Sequence, residues 1–193
     1  MCACFRWATE VAVPEISRFY DQGKYQEAYA LAVEANKAIP DDQMLLKLWP
    51  LISYQVSIDS SPSGADVYRR KYGDLNAPWV RVGRTPLKGA RQPMGELIWK
   101  IEKPGFGTVL RMTSSLFGWF LRPRPQVAGS VTLDALDKVP PGMVRISPES
   151  IPKALLIPGY ENVPQLPLPD FWIDQFEVTR QRQARFGRAA RAG

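Results

Sequence analysis

Histidine, the side chain that most readily moves protons near neutral pH, does not occur in this 193-residue sequence. Its absence removes Ser-His and Cys-His nucleophile pairs and imidazole metal ligands. Two thiols remain, Cys2 and Cys4, in a Cys-x-Cys pair. A tetrahedral zinc site needs about four N or S ligands, so two thiols alone do not complete one. Two cysteines also imply no disulfide scaffold. Among the carboxylates, Asp170, Asp174 and Glu177 have spacings of four and three, which would align them on a helix. The run Phe171-Trp172-Ile173-Asp174 reads as a strand instead, and a strand scatters them. Asp59, Asp66, Asp74 and Asp134 fall beside turns or on alternate strand positions, where a solvated face is the ordinary explanation. No Gly-rich phosphate loop and no kinase Asp motif is present. No catalytic, cofactor-binding or metal-ligating residue is expected, no cofactor is called for, and the chain is not read as an enzyme.

The charge gives no nucleic-acid footprint. The formal net charge is +6. Arg180, Arg182, Arg185, Arg188 and Arg191 supply most of the excess, and without them 20 basic residues face 19 acidic ones. A balanced body presents no basic face to phosphates. Residues 180–193 read as a disordered Arg-rich tail, since repelling charges and one large apolar residue, Phe186, do not offset ordering entropy. No window approaches the ~20 apolar residues of a membrane span. The start, MCACFRWATE, lacks the apolar core of about 7–15 residues that an export signal carries. The 18 Pro and 14 Gly favour short elements and many turns.

The elements behind these residues change character along the chain. After a leader over 1–12, Pro14 suits a first helical position, and Ile16, Phe19 and Tyr20 recur at helical spacing. Gly23 breaks the chain. Tyr25, Ala28, Tyr29, Ala32, Ala35 and Ile39 then form one stripe, which predicts a helix over 24–38. Pro40 ends it, and Asp41 or Asp42 caps a third helix over 41–50. With Gly23, Tyr25, Ala28, Ala32 and Pro40 so placed, residues 13–51 resemble one tetratricopeptide-type helical hairpin. A solenoid needs about three repeats, and the alternative is a hairpin that only packs on its neighbour.

From Tyr54 the period falls to two, with Val56 and Ile58 alternating against Gln55, Ser57 and Asp59. Further strands are expected over 65–68, 79–82, 97–101 and 108–112, separated by Pro/Gly turns, with Val127–Leu133 completing the sheet. Four landmarks punctuate this stretch in order. They are Pro62-Ser63-Gly64-Ala65, Gly83-Arg84-Thr85-Pro86, Pro93-Met94-Gly95, and Lys103-Pro104-Gly105-Phe106. The series resembles a PEGA domain, and the resemblance covers about residues 52–137. It implies a small all-β, sandwich-like scaffold whose motif residues are Pro62, Gly64, Ala65, Gly83, Thr85, Pro86, Gly95, Pro104, Gly105 and Phe106. None of these is a nucleophile, base or ligand. The long segment 69–79 departs from the two-residue hairpin commoner there. By resemblance the chain belongs on the extracytoplasmic side of a bacterial membrane, with a protein or cell-envelope partner. The apolar run Leu116–Leu121, with Phe117, Trp119 and Phe120, is a candidate partner contact; its alternative is a hairpin folded onto the core.

Over 138–179, Gly142-Met143-Val144 is followed by Phe171-Trp172-Ile173-Asp174-Gln175-Phe176-Glu177-Val178-Thr179. This resembles the opening of the formylglycine-generating (sulfatase-modifying factor) family. The match stops at Thr179, after which the Arg/Ala/Gly-rich end looks like out-of-frame translation. That family's catalytic cysteines lie far downstream, so Cys2 and Cys4 do not stand for them. The expected class is therefore α+β: a helical hairpin, a small all-β domain and an incomplete C-terminal α/β segment. The expected function is a non-catalytic interaction or scaffold module of a bacterial, envelope-associated multidomain protein. The alternative is the N-terminal portion of a formylglycine-generating-type enzyme, or of a membrane serine/threonine kinase carrying that domain.

Overall fold

A computed structural model describes residues 3–74, 76–114, 128–146 and 169–177. The protein is of mixed α+β type, with helices first and sheets after them. It divides into two compact units, 1–133 and 134–193.

The first unit opens with helix where the sequence reading has a leader. Helix α1 (Ala3–Trp7) runs through a π-helical turn at Ala8–Ala12 into α2 (Val13–Asp21). Ala8 and Ala12 are fully buried, and their small side chains let this segment lie close to its neighbours. The expectation missed it because two alanines make no visible apolar stripe. Helices α3 (Tyr25–Ala38) and α4 (Gln43–Ile52) follow. Asp42 caps α4, its Oδ1 accepting from Met44 N at 3.0 Å and Leu45 N at 2.9 Å. Ala28, Ala32 and Ala35 of α3, Ile16 of α2 and Leu45, Leu48 and Trp49 of α4 form one apolar core.

Two sheets follow directly from α4. Strand β1 (Ser53–Ser61) is central in the first, between antiparallel β4 (Leu87–Pro93) and parallel β7 (Ala128–Thr132). The second has the order β3 (Val80–Arg84), β2 (Asp66–Lys71), β5 (Glu96–Glu102), β6 (Val109–Ser114), with every pairing antiparallel. Tyr54, Val56 and Ile58 of β1 and Leu97, Trp99 and Ile101 of β5 alternate with more exposed residues. They meet Ala65, Val67, Val131 and Leu133 in a second core. Burying each large apolar side chain contributes about 1.5–3 kcal/mol. Strand β4 was not expected. Its sequence, LKGARQP, has no apolar alternation, and only Gln92 and Pro93 are buried. Its pairing from Ser53↔Pro93 to Ile58↔Leu87 is a backbone matter that side-chain patterning does not report.

In the second unit, β8 (Met143–Ile146) pairs antiparallel with β9 (Phe171–Asp174), from Met143↔Asp174 to Ile146↔Phe171. Arg145 of β8 donates to Asp134 at 2.6 Å and also to Asp170.

Candidate functional site

Three of the four sequence landmarks meet at one end of the two-sheet unit, around Thr85. The Thr85 hydroxyl accepts from Ala65 N at 2.9 Å and lies 2.5 Å from Ser60 Oγ, which in turn donates to Pro62 O at 2.8 Å. A hydroxyl carries one donor, so Ser60 spends its proton on Pro62 and Thr85 donates to Ser60. The backbone closes the same corner. Gly64 N donates to Thr85 O at 3.0 Å, and Thr85 N donates to Ala65 O at 2.9 Å. Thr85 and Ser60 are buried, so these bonds replace water at groups that would otherwise lose it. The Lys103-Pro104-Gly105-Phe106 turn reaches the same place. Lys103 Nζ donates to Ser63 O at 2.5 Å, and the Phe106 ring packs on the core. Gly64 and Gly105 hold φ of 81° and 83°, the left-handed region that glycine enters without the Cβ penalty. Gly83 is used differently: a Cβ there would come 2.8 Å from Leu87 Cδ1. Pro62, Pro86 and Pro104 complete these turns.

The third landmark lies elsewhere. Met94 N donates to Ile52 O at 2.8 Å, and the Gln26 amide of α3 reaches Met94 O at 3.4 Å. Pro93-Met94-Gly95 therefore sits where the helices meet the strands. Sequence reasoning missed the polar groups gathered there. Arg69 of β2 donates from Nε to Gln92 Oε1 at 2.6 Å and from Nη1 to Gln26 Oε1 at 2.8 Å. Tyr29 of α3 donates to Arg91 O at 2.7 Å, and the Arg91 guanidinium lies 4.8 Å from the Trp49 ring centre. Burial pushes the Tyr29 phenol above its usual value, against the pull of Arg69 and Arg91. Burial also lowers Arg69, opposed by Tyr29 and Tyr54. No motif announces this cluster, because its members come from α3, α4, β1, β2 and β4.

A second polar group lies on the second sheet, on the face away from the core. The Lys100 ammonium sits 4.5 Å from the Tyr68 ring centre and 5.3 Å from that of Trp79, and it pairs with Glu102 at 3.0 Å. Arg70 lies over the same Trp79 ring at 4.6 Å. Asp66 on β2 takes Arg81 at 2.7 Å and Arg84 at 3.4 Å, and these hydrogen bonds hold its carboxyl below the usual range. Trp99 is in the core, its Nε1 donating to Thr113 Oγ1 at 2.9 Å.

No family model, curated protein or solved structure matches this chain. Among the described residues no three His, Cys, Asp or Glu side chains are grouped to hold a metal. Asp170 meets Arg145, and Asp174 lies in strand β9 opposite Met143. No helix of the described residues is long and apolar enough to cross a membrane. The candidate contact residues Phe117, Trp119 and Phe120 lie outside the described residues, as does the tail over 180–193.

Proposed function

We propose that this chain is a non-catalytic interaction and scaffold module of a larger bacterial, envelope-associated protein, built around a PEGA-like two-sheet sandwich. The Thr85 corner is the observation that carries the reading. Its polar groups are spent on one another and on backbone, so the motif residues specify a framework and leave no group aimed at a substrate. The two sheets sharing one core support the sandwich. A helical unit joined to that framework supports a display role, in which the partner meets an exposed face and the turns fix the shape behind it.

A second reading rests on the β8–β9 pair. It joins the Met143-Val144 run to the Phe171–Asp174 run, the two pieces that resemble the opening of a formylglycine-generating domain. On this reading the parent protein is of that enzyme family, and this chain supplies a non-catalytic part of it. Incubation of the purified chain with a cysteine-containing sulfatase-type peptide, followed by mass spectrometry, tests the non-catalytic assignment that the two readings share. Conversion at the buffer rate is expected; turnover above background overturns the scaffold reading.

A further inference from the structure

A cleft of about 160 Å³ opens at the junction of helices and strands. Its walls come from three separate places: Tyr25 and Glu27 at the start of α3, Lys71 and Tyr72 at the end of β2, and Gly95 and Glu96 at the β4–β5 turn. These walls are tied together. Tyr72 N donates to Glu96 O at 3.0 Å, Gln26 reaches Met94 O, and the Tyr25 ring is held edge-on by Tyr20 at 6.1 Å. Gly95 contributes backbone to the lining. Its φ is 112°, and a Cβ there would stand 3.9 Å from Tyr25 Cδ2.

Size and charge together restrict the occupant. Pockets for drug-sized ligands run ~300–1,000 Å³, whereas a cavity of ~150 Å³ takes a benzene-sized group. This cleft therefore accepts one side chain. Two carboxylates, Glu27 and Glu96, and one ammonium, Lys71, belong to the lining, and among the described residues none of the three is in an ion pair. One more cation brings the cleft to neutrality. The two tyrosines supply apolar and π surface for an aliphatic stem with a charged tip. Resting on the interaction-module reading, we infer that this cleft receives a single lysine or arginine side chain presented by a partner polypeptide.

Amide NMR shifts of the full chain, titrated with blocked Gly-Lys-Gly, Gly-Arg-Gly and Gly-(acetyl-Lys)-Gly tripeptides, test the assignment. Saturable shifts at Tyr72, Gly95 and Glu96 are expected with the basic peptides and not with the acetylated one. Raising salt from ~50 to ~500 mM should weaken the binding at least about threefold. The isosteric pair Glu27→Gln with Glu96→Gln should abolish it while leaving distant amide shifts in place. Equal shifts with the acetylated peptide, no saturable shifts at all, or binding that persists in the double variant would each overturn the cleft. The acetyl-lysine and salt arms use the unaltered chain, so they decide even if the variant folds poorly. Failure here leaves the scaffold reading standing, since only turnover of the sulfatase-type peptide removes that.

Discussion

Thr85 shows how much one hydroxyl can organise. It receives the Ala65 amide and hands its proton to Ser60, in a place closed to water. Thr85→Val keeps the shape but strands the buried Ala65 N–H and takes away the donor to Ser60 Oγ, at about 1–3 kcal/mol. A lowered urea midpoint with an unchanged slope is the expected result; an unchanged midpoint would mean the corner is not what holds these turns. Asp66 is a second residue with a measurable signature. Its folded pKa lies below the ordinary carboxylate value because Arg81 and Arg84 bond to it. The unfolded chain therefore takes up the proton first. The stabilisation from Asp66 is fully present above its unfolded pKa of about 3.9 and is lost as pH falls through the lower folded value. Denaturant midpoints of wild type and Asp66→Asn, followed from about pH 6 to pH 2, should differ at the upper end and converge in acid. A constant difference would remove the ion pairs from the account.

At the scale of elements, the helices and the strands each have a core, and polar groups join them. Helix α3 meets the sheets through Gln26 and Tyr29, and β2 answers with Arg69. Gln92, buried on β4, has its side-chain oxygen filled by Arg69. Arg69→Met should thus cost about 1–3 kcal/mol through the carbonyls it abandons. Gln92→Met in that background should cost less than in wild type, with a coupling of about 0.5–3 kcal/mol in a double-mutant cycle on urea midpoints. Strict additivity would show that the two side chains act independently. Elements of this kind are also where sequence reading reached its limit. Strand β1 was legible because Tyr54, Val56 and Ile58 alternate, and α3 because its apolar residues recur at steps of three and four. Strand β4 was not, since Leu87-Lys88-Gly89-Ala90 pairs by its backbone at a sheet edge and needs no apolar face.

Across the whole molecule, the candidate sites divide along the same line. The glycines of the turns could be named in advance, because positive φ is a local demand that few residue types meet. Gly64 and Gly105 stand at such φ values, and the Asp42 cap and the switch of period near Tyr54 are local in the same sense. What the sequence by itself determined is this local grammar: where the period is 3.6, where it is two, and where the chain must turn. Only the tertiary structure decided which turns meet. It brought Thr85 to Ser60 across 25 positions, laid β7 parallel to β1, and gathered Arg69, Gln26 and Gln92 from three elements. It also left Glu27, Lys71 and Glu96 around one cleft. The reason is physical. Periodicity and turn chemistry act over a few residues and leave a mark in composition. Partner choice between distant segments is set by burial and hydrogen-bond satisfaction of the assembled chain, and any one of its members, read alone, is an ordinary surface Glu, Lys or Gln.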